Sequence, residues 1–455
     1  MMDHLSARRS VMKKLTYTFL LTLLSSISLY ATVYYVSPTG DADFNTIQAA
    51  VNTAQAGDTI YIKAGTYHER ILFSRSGHVD KPIVIKNNAK EIVTIDGDGI
   101  NWDVNWGGLL DFDHVSYIHI SGLTVINSSH AGIFLDTSDH IRIERSKTNN
   151  TYSSGIGVWY SHHINIINNE VSLACNNGGE ECISIVHSHN VLVDRNEVHH
   201  NGPGSIGGEG IDVKEGSHDV MVSHNEVHHL NERIGLYTDP WDTHTYNIVF
   251  DSNRVHDCTN FGMAIASEMG GLIEHVIFMN NLVYHNFDGG MAVGGWTADG
   301  QSVDANPIHH LTIINNTIYD NQNSDGLYIA NPDIKDIKVY NNIIGRNDDS
   351  QIYIENAPLS EIDIKANLIE GITGNYGEQK QVTGDPKLID AASGDFHLLP
   401  HSPAINQGIS HTIATHDHDG IKRPQENAWD IGAYEYIKTK ENPYAFLVPI
   451  LYLLL

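Results

Sequence analysis

From about residue 132 onward, apolar and polar residues alternate in runs of four to six, separated by Asn, Asp and Gly. A period of two over such lengths predicts short half-buried strands. One series of runs starts at Gly132, Gly155, Cys182, Gly210, Gly235, Gly262, Gly290, Gly326 and Gln351. A second series, with runs such as IRIERS, INIINN and IVFDSN, ends at an Asn followed two residues later by Val or Ile. These are Asn169, Asn196, Asn225, Asn253, Asn281, Asn316, Asn342 and Asn367, spaced 27, 29, 28, 28, 35, 26 and 25 residues apart. Two or three strands per period, with no helix between them, predict a parallel β-helix, an all-β solenoid whose coils complete each other's backbone ladders. The asparagines then form a column of stacked side-chain amides at a turn. His199, His228 and His256 form another column, continued by Tyr284 and Tyr319, beside a third of His200, His229 and Asp257.

A solenoid end is an open sheet edge and needs a cover. Phe44 to Gln55 places Phe44, Ile47, Ala50, Val51 and Ala54 at helical spacing, which predicts an N-terminal capping helix ahead of the strand in GDTIYIKAGTY. The stretch TIQAAVNTAQAGDTIYIKAGTYHERI, with SGHVDKPIVIK and VTIDGDG after it, resembles the right-handed parallel β-helix proteins of the pectate lyase superfamily. SPAINQG, HDHDGIKRP and WDIGAYEY resemble a terminal module of exported β-helix proteins. The expected organisation is a signal peptide over 1–31 (with Met12 as an alternative start), a parallel β-helix over 32–380, a module closing its end over 381–438, and an apolar tail over 439–455.

The signal peptide rests on Lys13-Lys14, the apolar run Tyr17–Leu29 and Ala31, and implies a secreted or periplasmic protein. No other segment reaches 18 apolar residues, so no transmembrane span is expected. The chain has 455 residues, 41% of them hydrophobic, enough for a large core. Cys175, Cys182 and Cys258 suggest neither a disulfide framework nor a zinc module and read as small buried residues. A net charge of −28 argues against nucleic acid as a partner. It also means that an acidic polysaccharide can approach only where a cation or a local basic group receives it. A monomer is expected.

When the first series of strands is aligned, the second and fourth positions are apolar and point inward. The third and fifth positions then share one outward, exposed face. The coils starting at 182, 210 and 235 gather Glu180, Glu181, Glu209, Asp212, Lys214, Arg233, Tyr237, Asp239 and Trp241 on it. Glu181 and Glu209 stack about one strand spacing apart, where two carboxylates repel unless one is protonated or a cation lies between them. With Asp212 they form a set of hard oxygen ligands suited to Ca²⁺. The alternative is a solvated acidic ridge.

Lys214, mid-strand among carboxylates, carries the second resemblance. GEGIDVKEGS (208–217) is similar to the lysine-bearing coil of family 9 pectate lyases and related uronate lyases. The resemblance implies Lys214 as the base and Glu181, Glu209 and Asp212 as calcium ligands, although the family's dense aspartate cluster is missing. The implied reaction is β-elimination on a pectate- or alginate-type polysaccharide, with Arg233 and calcium neutralising the uronate carboxylate. Trp159, Tyr237, Asp239, Trp241 and His244 are the expected substrate contacts. Two other functions stay open. Glu180-Glu181-Cys182 and Gly208-Glu209-Gly210 are laid out like the DDCIAI and GHG motifs of family 28 hydrolases, with different residues at the catalytic positions. A carbohydrate-binding surface protein without catalysis is the other.

Overall fold

The computed structural model describes residues 31–102, 106–203, 207–294, 306–376 and 381–438. The expected signal peptide (all but its last residue) and apolar tail lie outside these residues. Three long parallel sheets run the length of the chain, with 15, 11 and 13 strands among the described residues. Each coil contributes one strand to each sheet in turn, and the inward residues merge into one continuous core of Ile, Val, Leu and Phe. Phe250 and Phe278, on successive coils, stack with ring centroids 4.8 Å apart. Among the described residues, no helix is long and apolar enough to cross a membrane.

The expected register holds. Ile183, Ser184, Ile185 and Val186 pair with Ile211, Asp212, Val213 and Lys214, and these pair with Leu236, Tyr237, Thr238 and Asp239. All nine predicted strands of this second sheet are present. Two more precede them, Ile71–Phe73 and Gly108–Asp113.

The asparagine column is a buried ladder from Asn169 to Asn367. In each rung the Oδ1 of one Asn accepts from both the backbone N–H and the Nδ2 of the Asn one coil earlier, as Asn281 does from Asn253 at 2.9 and 3.0 Å. Gln381 supplies the final rung. The residue before each ladder Asn turns the corner in the left-handed region, with φ of 52–57° at Asn168, Arg195, His224, Ser252 and Asn280. Such a conformation costs a non-glycine residue roughly 1–2 kcal/mol, and the buried amide bonds of the next residue offset it. Two similar columns escaped the sequence reading: Asn286–Asn321–Asn347, and the serines Ser138–Ser161–Ser188–Ser217.

The cap helix is shorter than predicted. It spans Ile47–Thr53, with Thr46 as N-cap, while Phe44 bridges to Val36 as extended chain. At the other end the solenoid runs past residue 380, because Val382–Thr383 pairs with Leu368–Glu370. Phe396, Leu398, Ile431 and Tyr434 pack against Leu282, Tyr284, Tyr319, Ile343 and Leu368. This segment therefore lies along the side of the third sheet's last coils. Buried Arg423 ties it down through Glu435 and Asn280. The three cysteines are free and buried, as expected.

Candidate active site

Three successive strands of the second sheet, Ile183–Val186, Ile211–Lys214 and Leu236–Asp239, carry the candidate residues. In-register stacking sets Asp136, Trp159, Val186, Lys214 and Asp239 in one column. Ser184, Asp212 and Tyr237 form the parallel column two residues back.

This face was expected to be open to solvent, and it is not. Asp212 is 2% exposed, Asp239 4% and Tyr237 6%. The Lys214 side chain is 14% exposed and that of Glu181 4%. Further along the same face Ala264, Ala266 and Ala292 form a small apolar cluster with Tyr237, packed by Ile234 and Phe261. The alternation of the strands alone could not show that flanking turns would close over the outward positions.

Lys214 is the centre of the site. Its Nζ donates to Glu181 Oε1 at 2.7 Å and lies 4.0 Å from both Glu180 Oε2 and Glu215 Oε1. The other Glu181 oxygen accepts from Ser184 Oγ at 2.6 Å. Glu181 is thus the partner of the lysine, a pairing the sequence reading did not weigh. Burial alone would lower the lysine's proton affinity. The charges of Glu181, Asp212, Glu180 and Asp239 outweigh it and hold the ammonium well above its ordinary range.

The carboxyls shift upward as well, but with burial as the leading cause. Burial, then the charge of Glu181, pushes both Glu180 and Glu209 up to about 7. Burial raises Asp212 and Asp239 well above their usual range, with their neighbours' charges adding to it. Asp239 Oδ1 accepts from the Trp241 backbone N–H at 2.8 Å. Asp212 Oδ1 is buried without a hydrogen-bond partner. An acid-rich buried site with an unsatisfied carboxylate oxygen is what a hard divalent cation would complete. Of the expected ligands, Glu181 is taken up by Lys214 and Ser184, while the charges of Asp239, Glu181 and Glu209 act on Asp212. Among the described residues, the groups whose ligand atoms all lie within 4.8 Å of one another are elsewhere, at Asp139, His140, His163 and at Glu274, His275, His310.

The remaining candidates divide. Arg233 hydrogen-bonds the carbonyls of Gly207 and Glu232, and its charge acts on Glu209. The Tyr237 hydroxyl donates to Glu268, an acid missed because it follows the strand pattern's end, at a turn. Trp241 stands partly exposed at the rim. His244 begins a strand of the first sheet and faces Glu274 at 3.1 Å, apart from the lysine site. Trp159 lies two strands from Lys214, against Trp106 and Phe134. Phe134 shares the outward face with Trp159 in the strand alignment, whereas Trp106 precedes the aligned strands and had no repeat position to betray it. The histidine columns are ring stacks, with His199–His228 and His228–His256 centroids at 5.1 and 5.2 Å.

The fold is that of a right-handed parallel β-helix protein with a pectate-lyase-like architecture. Residues 34–177 match the model of the Pel9A-like right-handed beta helix region. A pectate lyase, PEL9 of Emericella nidulans, is 32% identical over 140 residues, covering 27% of this chain and 34% of that protein. The chain therefore spans about a third of that relative's length. The uncharacterized protein YwoF of Bacillus subtilis is 28% identical over 81% of this chain and 91% of its own. The crystal structure of pectate lyase Pel9A superposes with a TM-score of 0.52 at 14% identity, covering 91% of this chain and 98% of that one. The family match ends before Glu180, so the lysine site rests on its own geometry.

Proposed function

We propose that this protein is an exported polysaccharide lyase that cleaves an acidic, uronate-containing polysaccharide by β-elimination, with Lys214 as base. The observation that carries this reading is the buried Lys214 among six carboxylates (Glu180, Glu181, Glu209, Asp212, Asp239 and Glu215), one of which, Asp212, has an unsatisfied oxygen. The export sequence and the Pel9A-like segment support it.

The C5 hydrogen of a uronate is acidified by the adjacent carboxylate. Calcium held by Glu209, Asp212 and Asp239, with Glu181 near, would supply positive charge against that carboxylate and so stabilise the enolate-like transition state. Arg233 adds charge of the same sign at the edge of the site. Lys214 takes the C5 proton, the C4–O bond breaks as the C4–C5 double bond forms, and the leaving oxygen takes up a proton. Glu180, 4.0 Å from Lys214 Nζ and protonated near neutrality, is placed to give it. A base must be neutral to act, and here the surrounding acids favour the ammonium. Added positive charge at those acids lowers the lysine's proton affinity, so activity should need the cation and rise with pH.

Lys214→Ala should lower the formation of ultraviolet-absorbing unsaturated product at least about 10²-fold, the scale of general-base catalysis. Lys214→Arg should not restore it, because guanidinium stays protonated. The substitution also strands buried Glu181, so melting of the variant must be followed alongside. A folded Lys214→Ala protein with full elimination activity would remove Lys214 from the mechanism. Two carboxyls near 7 also suit the acid of a hydrolase. That second reading predicts new reducing ends with no ultraviolet absorbance.

A further inference from the structure

Next to the lysine site, on the coils that precede it, is a cleft of about 590 Å³ lined by Trp106, His130, Phe134, Tyr152, Trp159 and Glu180. Trp106 is 53% exposed and Tyr152 45%. The Trp106 and Trp159 rings lie 4.5 Å apart at 48°, and Phe134 meets Trp159 edge-on at 5.6 Å. Flat, exposed rings of this kind receive the apolar faces of sugar rings.

The charge of the cleft is equally informative. None of its described lining residues is a lysine or an arginine, and the one carboxyl is Glu180. The nearby Arg70 is ion-paired with Asp111 and stacked on Trp102, so its charge is already committed. A uronate carboxylate entering here would lose water and find no lysine or arginine among the described lining residues, the His130 imidazole being the one basic group. An uncharged sugar meets none of these penalties.

Glu180 belongs to both places, as cleft lining and as the group 4.0 Å from Lys214 Nζ. Trp159 and Lys214 stand in one column, two strand spacings apart, or about 10 Å. A chain lying along the sheet would therefore cross the aromatic cleft and the lysine site together.

We infer that the aromatic cleft is a specificity subsite for an uncharged sugar, either a neutral residue or a uronate masked as its methyl ester. The inference rests on the polysaccharide-lyase reading of Lys214 and adds the substrate class. The polymer carries uncharged residues interspersed with its uronates; it is not a continuous run of free acids.

Matched ligands test this on the intact protein. De-esterified oligogalacturonate, its methyl-esterified counterpart and xylohexaose are titrated, with tryptophan fluorescence and calorimetry as readouts. At least one of the two uncharged ligands should bind 10-fold or more tighter than the free acid. Trp106→Ala and Trp159→Ala should each remove most of that preference. Tyr152→Lys, which places a cation in the cleft, should shift the preference toward the free acid. The inference is overturned if neither uncharged ligand binds, if the free acid binds as tightly as both, or if the tryptophan variants leave the ratio unchanged. Lyase assays on pectins of graded esterification run in parallel. If no polymer yields unsaturated product, the catalytic reading fails while the binding comparison still decides the subsite.

Discussion

Glu181 and Glu209 are neighbouring acids in the sequence pattern, yet they meet different fates. Glu181 is spent on Lys214 and Ser184, whereas Glu209 is pushed up to about 7 from an ordinary 4.5 by burial first and the charge of Glu181 second. A carboxyl raised in the folded state contributes stability that is complete below 4.5 and is lost as pH rises through 7. Metal-free protein should therefore lose stability across that window, by on the order of 3–4 kcal/mol for such a group at most. Glu209→Gln should flatten this part of the melting profile. Calcium should restore stability to the wild type above pH 7, more than below pH 5, and less to the variant. Thermal melts at several pH values, with calcium and with chelator, check both points. Which residues stack was legible in the sequence, because a period of two leaves no freedom of face. Which acid pairs with the lysine was not, because a long side chain reaches diagonally across coils, as Lys214 does to a residue 33 positions earlier.

At the scale of the element, the asparagine column was readable from its spacing because every rung repeats the same turn. The serine column was not, since serines are frequent and its strands carry no second marker. The shortened cap helix has a similar cause: Phe44 fits a helical face, but its backbone bridges to Val36. The ladder gives a direct test. Removing Asn253 leaves the Asn225 N–H and Nδ2 without their acceptor and frees the Val222 carbonyl, all buried. Asn225 Nδ2 keeps its bond to the Val193 carbonyl, so at about 1–3 kcal/mol for each of the two buried groups left unsatisfied, Asn253→Ala should cost roughly 2–6 kcal/mol, read as a lower denaturant midpoint. An exposed polar residue such as Asn247 should cost far less.

Over the whole molecule, the segment from Asp395 to Glu435 acts through a few buried points. The Arg423 and Glu435 side chains are 0% and 1% exposed, and the arginine also donates to Asn280, Gly432 and Ala433. Arg423→Met should leave Glu435 buried and unpaired, a loss of about 3–5 kcal/mol. Limited proteolysis should then cut within residues 395–436 before it reaches the coils. The motifs of this segment marked it as a module, but its place along the side of the third sheet depends on apolar residues that face outward from those coils, such as Leu282 and Ile343. In a strand pattern, such residues are indistinguishable from core.

The column Asp136–Trp159–Val186–Lys214–Asp239 has a consequence of its own. Successive members are separated by one coil, so the distance from the aromatic platform to the Lys214 strand position is counted in whole coils and cannot drift with side-chain packing. The molecule is graduated like a ruler. A lineage that gained one coil between those of Trp159 and Val186 would move the two marks apart by one division while keeping Glu181 beside Lys214, and, on the function proposed above, would read a longer spacing of charged and uncharged sugars.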